Sequence, residues 1–223
     1  MNTYSRLAST AAAAAAPSTN ASVWHEKQWS NFQTAALAPP DGLTHYGLWN
    51  ASQGLFYRDS RFVGTSIFWG RGNGWAIGAL VAAIANGGTD PHLQDYIAIY
   101  KQLAETLKRL AEQEADGAWR PSLLHPADYP LAETTATAGF VYGLAFGINH
   151  GLLAKADYLP AVAKAWAWLA AVALQPATGR LRFCQPGGGS PESNFNGTSP
   201  SSSYCVGDFL LAVSQVARLE TAV

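Results

Sequence analysis

Charge is what this chain has least of. Lys, Arg, Asp and Glu make up 13% of its 223 residues and nearly cancel, at a formal net −1, while hydrophobic residues reach 48%. A chain with that balance can bury enough apolar surface to fold, which excludes a disordered protein. It offers no positive field for nucleic acid or for an anionic membrane surface. No apolar run reaches the roughly 18 residues of a membrane-spanning helix. Cysteine is nearly absent, and Cys184 and Cys205 fit no metal-ligand spacing. They read as free thiols, the preferred reading, or as one bridge closing a glycine-rich loop. No Gly-Lys-Ser/Thr follows Gly187-Gly188-Gly189-Ser190, so the stretch to Ser203 is no phosphate loop and reads as a loop over a pocket. An Asp-rich metal motif is also missing, which argues against a terpene-cyclase type of helical barrel.

Residues 1–40 are of a different material from the rest. Ala11 to Ala16 is an alanine run in a Ser/Thr/Ala-rich segment whose first carboxylate is Glu26. The segment reads as low-complexity or targeting-like: a transit or weak signal peptide, a disordered tail, or the start of a partial gene. Residues 41–223 then form the folded domain, a length that suits a single core. The sequons at Asn20, Asn50 and Asn196 matter only in a secreted chain, and the compartment, secreted or intracellular, stays open.

What is abundant is aromatic and glycine, and they concentrate in Phe68-Trp69-Gly70-Arg71-Gly72-Asn73-Gly74-Trp75. Alternate glycines let backbone and ligand approach closely. Trp stacks on a ring face, Arg forks onto a carboxylate, and Asn offers a donor beside an acceptor. The plain alternative is a glycine turn whose tryptophans anchor a core.

Three strips resemble one another: Gln53-Gly54-Leu55-Phe56-Tyr57-Arg58, Asp116-Gly117-Ala118-Trp119-Arg120 and Thr178-Gly179-Arg180-Leu181-Arg182-Phe183. Their glycines recur about every 62 residues, the mark of stacked supersecondary units. Each strip leads to an almost uncharged helix, opening at Gly74-Trp75, at Glu133-Thr134-Thr135 and at Tyr204; helices apolar all round must be enclosed by protein. Between them lie amphipathic helices. Asp95–Glu114 lines up Tyr96, Ile99, Tyr100, Leu103, Leu107 and Leu110, with Glu105 placed to pair with Arg109, and Asp157–Ala173 repeats the idea. Alternating buried and half-exposed helices predict a double ring, an all-α toroid. A closed six-hairpin ring needs well over 300 residues at about 60 per hairpin. The expectation is therefore a partial toroid, one that closes differently or a fragment. Its apolar helix flanks would be exposed and favour self-association.

With the repeat in place, Trp69–Trp75, Gly54–Phe62, Asp116–Trp119, Glu133–Ala138 and Gly147–Leu153 resemble glycoside hydrolase families 88 and 105, the unsaturated glucuronyl and rhamnogalacturonyl hydrolases. The resemblance runs from about Leu48 to the C-terminus. It implies an (α/α)6 barrel that acts, with no metal or cofactor, on oligosaccharides left by polysaccharide lyases. In such enzymes an aspartate protonates C4 of the C4=C5 vinyl ether and helps water add at C5, and the hemiketal then opens. The matching positions imply Arg71 for the uronate carboxylate, Trp69 and Trp75 for the ring face and Asn73 for hydroxyls. Arg58 is a further substrate-binding candidate, and Trp119 reads as a residue of the pocket rim or equally as a core anchor. Nothing matches the family's catalytic aspartate: upstream stand only Trp24-His25-Glu26-Lys27-Gln28-Trp29 and Asp41, in a Pro-Pro-Asp-Gly turn, and Arg58-Asp59 replaces the His-Gly that many relatives carry. Asp59 and Glu133 are the remaining, weak candidates for the acid; Asp59 reads rather as an ion pair with Arg58 and Arg61, and Glu133 as a helix cap. His45, His125 and His150 read as loop or cap histidines. A sugar-binding remnant without catalysis is the alternative function.

Overall fold

The computed structural model describes residues 19–37, 47–112, 114–185, 190–191 and 201–220. The expectations attached to Ala11–Ala16, Asp41, His45, Gly187–Gly189 and the Asn196 sequon lie outside those residues. Helices dominate: α1 (Thr19–Phe32), α2 (Gly70–Asn86), α3 (Leu93–Ala111), α4 (Thr134–Asn149), α5 (Lys155–Trp168) and α6 (Ser203–Glu220). The strands are two short antiparallel hairpins, β1 (Trp49–Asn50) with β2 (Leu55–Phe56) and β3 (Leu174–Gln175) with β4 (Arg180–Leu181). The fold class is all-α, as expected.

The repeat has a conformational basis. Gly54, Gly117 and Gly179 all adopt left-handed backbone, at φ +65°, +88° and +66°. One turn is thus used three times, and a side chain there would be strained at each copy. At Gly54 and Gly117 the turn also presses on an outer helix, against Thr106 of α3 and Lys164 of α5 respectively.

α4 is the centre of the packing, with α2 on one side and α6 on the other, backed by α5. All of its residues except Tyr142 and Asn149 are buried. The other two apolar helices are not enclosed as expected. α2 exposes Trp75, Ala79 and Ala82, and α6 exposes Leu210 and Leu211. The reason is position: only α4 has an apolar helix on both flanks. No closed ring forms among the described residues. The amphipathic stripe of α3 is buried at all six expected positions. Its polar face differs in detail, because Glu105 pairs with Lys108 at 2.9 Å and accepts the Tyr158 hydroxyl at 2.8 Å rather than pairing with Arg109.

Two expectations need correction. α1 lies inside the segment read as low-complexity, yet Trp29 is buried, stacked on His92 at 4.5 Å and edge-on to Tyr96 at 5.2 Å. Two or three aromatics anchor a helix whose alanine- and serine-rich surroundings hide it in a composition count. The cysteines are not free thiols: Cys184 and Cys205 form a disulfide with Cα atoms 5.8 Å apart. The end of β4 and the start of α6 meet there, in a small apolar cluster with Leu181.

Gly70 shows why α2 must open on glycine. A Cβ at Gly70 would lie 2.7 Å from the Arg120 carbonyl oxygen and 2.9 Å from Ala136 Cβ. Its N–H also donates to Pro121 at 2.7 Å, so the backbone cannot retreat freely. Gly70→Ala should therefore cost about 1–3 kcal/mol by overpacking. Chemical denaturation of the variant beside wild type checks this, and an unchanged midpoint would refute it.

Candidate functional site

The N-terminal ends of α2, α4 and α6 converge, so the same repeat position is presented three times around one cleft. α2 brings Trp69, Arg71 and Trp75, α4 is preceded by Glu133, and α6 opens with Tyr204 and Asp208. The cleft is about 390 Å³ and is lined by Tyr57, Arg58, Asp59, Trp69, Arg71 and Trp75.

Arg71 is the hub. It is 1% exposed, and its guanidinium carbon lies 4.4 Å from the centre of the Trp69 ring. Nη1 donates to Gln185 Oε1 at 2.5 Å and to the Pro191 carbonyl at 2.8 Å, and Nη2 donates to the Ser190 carbonyl at 3.1 Å. Nε is buried with no partner among the described residues. So are both oxygens of Glu133, the Trp69 indole N–H, Gln185 Nε2 and Asp208 Oδ2. Buried polar atoms are nearly always satisfied, so orphans on Arg71 and Trp69, both of which line the cleft, point to a polar ligand.

Glu133 is fully buried and does not cap α4; no side-chain cap bond forms there. Its carboxyl instead faces Arg71, with Oε2 3.9 Å from Nη1. At that separation no hydrogen bond offsets desolvation, and burial pushes the carboxyl up to about 8 against the pull of Arg71, with Asp208 adding to the rise. Near neutral pH Glu133 is largely protonated, which leaves the charge of Arg71 available to an anion. Asp208 is raised by burial to about 6, opposed by a hydrogen bond from the Trp75 side chain.

The other predicted residues separate cleanly. Trp75 is 44% exposed where it lines the cleft. Trp69 is buried beneath the two guanidiniums, with Arg58 4.8 Å from its ring centre, so it supports Arg71 rather than offering a free face. Asn73 does not reach the cleft. Its Oδ1 accepts the Phe56 N–H at 2.8 Å, and Nδ2 donates to the Phe56 and Trp69 carbonyls at 2.9 and 3.0 Å. It stitches β2 to α2. Trp119 is a core residue, edge-on to Phe140 and bonded through its indole N–H to the Leu107 carbonyl. Asp59 binds Arg58 and Arg61, whose hydrogen bonds hold its carboxyl down at about 2. His150 sits at the C-terminal cap of α4, with Nδ1 2.8 Å from the Phe146 carbonyl, and His125 contacts Ser66 at 2.7 Å. Sequence reasoning missed Gln185 and Asp208. Asp208 carried a signal, a carboxylate alone among the apolar residues that open α6; Gln185 carried none.

The buried carboxyls set a pH dependence. Both bind more protons in the folded state than in the unfolded one, so unfolding releases protons and stability falls as pH rises. For Glu133 the fall runs from its usual 4.5 up to about 8. For Asp208 it runs from 3.8 to about 6. Glu133→Gln should flatten the upper part of that decline, measured as denaturant midpoint against pH between 5 and 8. An equally steep decline in the variant would show that Glu133 is not its source.

With this geometry in place, known proteins can be compared. The chain is 37% identical over 190 residues to an unsaturated 3S-rhamnoglycuronyl hydrolase from Formosa agariphila, covering 79% of this chain and 49% of that protein. The chain thus spans about half the length of that relative. A solved structure titled as glycosyl hydrolase family 88 from Bacteroides vulgatus superposes with TM-score 0.69 at 28% identity, over 87% of this chain and 54% of the other. Another, titled a polysaccharide lyase, gives 0.71 at 35% identity, over 79% and 52%. The helical fold agrees with these relatives. Residues 7–220 match the family described as Glycosyl Hydrolase Family 88, and the chain belongs to that family.

Proposed function

We propose that this chain binds the terminal unsaturated uronate of lyase-cleaved oligosaccharides and serves a glycoside hydrolase that hydrates the C4=C5 bond. In that reaction a proton adds to C4 and hydroxide to C5, and the hemiketal opens to release the neighbouring sugar. The observation that carries the reading is the unpartnered Nε–H of buried Arg71, facing a cleft beside exposed Trp75. A carboxylate supplies the acceptor that Arg71 lacks, and a sugar ring supplies the face that Trp75 lacks. Arg58 lines the same cleft, paired there with Asp59, so the anion site rests on Arg71.

Binding without turnover is the second reading, favoured by the state of the acids. Asp59 is held ionised by its arginines, and Glu133 lies fully buried against Arg71. Neither is a free general acid at the sugar. The disulfide supports a secreted placement, because such bridges persist outside reducing cytosol.

Calorimetric titration with an unsaturated uronyl disaccharide tests binding. Arg71→Ala should weaken it by roughly 10- to 100-fold, the worth of a charge-assisted pair. No binding by wild type to any unsaturated uronyl sugar would end the reading. Turnover is followed at the ultraviolet band of the conjugated double bond. A fall supports hydration, no change with binding intact supports the second reading, and a rise on intact polyuronide would mean a lyase instead.

Self-association is proposed through the open edges. Leu210 and Leu211 of α6 are 59% and 44% exposed, and an apolar groove of about 630 Å³ runs between α1 and α2 at the other edge. Light scattering should show species larger than a monomer at micromolar concentration. A monodisperse monomer that melts cooperatively would count against it.

A further inference from the structure

The two cysteines sit beside two residues that attend the cleft. Gln185 follows Cys184 and accepts from Arg71. Tyr204 precedes Cys205 and lies edge-on to Trp75 with ring centres 6.3 Å apart. One turn further along α6 stands Asp208, whose carboxyl is raised by burial and lowered by the nearby Trp75 side chain.

The strip that carries Cys184 is sewn to the start of α4. Thr134 donates its N–H to the Phe183 carbonyl at 2.9 Å and its hydroxyl to the Arg182 carbonyl at 2.5 Å, and the Gln185 N–H donates to the Thr135 hydroxyl at 3.1 Å. The start of α6 is tied to β4 by Ser201, whose hydroxyl accepts the Leu181 N–H at 2.8 Å and donates to the Leu181 carbonyl at 3.0 Å, and covalently by the bridge. From Ser203 to Leu211, Cys205 is the one buried residue. Further along, Phe209 stacks on Trp166 with ring centres 5.6 Å apart, and Ala212, Val216 and Leu219 are buried. The bridge therefore transmits the fixed position of the strip to the end of α6 that touches Trp75.

We infer that the Cys184–Cys205 bridge is a positioning element of the uronate cleft: it seats the first turns of α6 so that Tyr204 and Asp208 hold Trp75 at its stacking angle. Cys184 and Cys205 touch no ligand, and Tyr204 and Asp208 act through Trp75. The inference rests on the uronate reading above, and its test separates the two.

The probe is an unsaturated uronyl disaccharide, titrated into the folded chain with and without Cys184→Ser/Cys205→Ser. The expected result is binding weakened about five- to twentyfold, with altered near-ultraviolet dichroism and easier quenching of Trp75 fluorescence, while helix content is kept. In a Trp75→Ala background, loss of the bridge should add less than twofold. A general structural role would instead weaken binding equally in both backgrounds. Binding within twofold of wild type, or an equal loss in both backgrounds, overturns the inference. If the double serine variant fails to fold, Tyr204→Ala and Asp208→Asn carry the test with the bridge intact. Each should weaken binding about threefold or more, and unchanged binding in both overturns the inference. If wild type binds no uronyl sugar, the functional reading falls. Trp75 quenching with and without the bridge then still decides the positioning role, unchanged quenching counting against it.

Discussion

The interaction on which the site depends is the burial of Arg71. A guanidinium taken almost wholly out of water is tolerable only if its N–H groups find acceptors and no better-solvated state competes. Here the acceptors come from the strip after β4 and from the carbonyls of Ser190 and Pro191, while Trp69 covers a face. Trp69 stands at the start of α2, whereas Gln185, Ser190 and Pro191 all come from the segment after β4. The seat of Arg71 therefore exists only when α2 and that segment are docked together.

The docking of α2 on α4 is a matter of close backbone approach. Gly70 and Gly139 let α2 and α4 meet with hardly a side chain between them, and Asn73 stitches β2 onto the same helix. The result is a rigid floor under Arg71 and Glu133. Above it, Trp75 is exposed and is held by α6, the least enclosed of the three site helices.

Glu133 illustrates how environment overrides placement. A carboxylate before the first turn of a helix is ordinarily favoured there by the free N–H groups and the helix dipole. In this fold the side chain turns away toward Arg71, and burial favours its neutral form. Its charge state follows from which elements bury it, which the local sequence does not contain.

The sequence alone determined the helical class, the triple turn and the cleft's principal arginine. Glycine positive-φ turns, apolar periodicity and the Trp-Gly-Arg-Gly-Asn-Gly-Trp stretch are local properties, and local properties survive reading one residue at a time. What tertiary structure decided is who faces whom. It moved Asn73 and Trp119 from the pocket to the framework, put Trp69 under the guanidiniums, joined Cys184 to Cys205, and brought Gln185 and Asp208 to the site. It also anchored α1 through Trp29 in a segment that composition marked as featureless. These outcomes depend on contacts between residues far apart in the chain, whose energies come from burial and geometry that no linear pattern encodes.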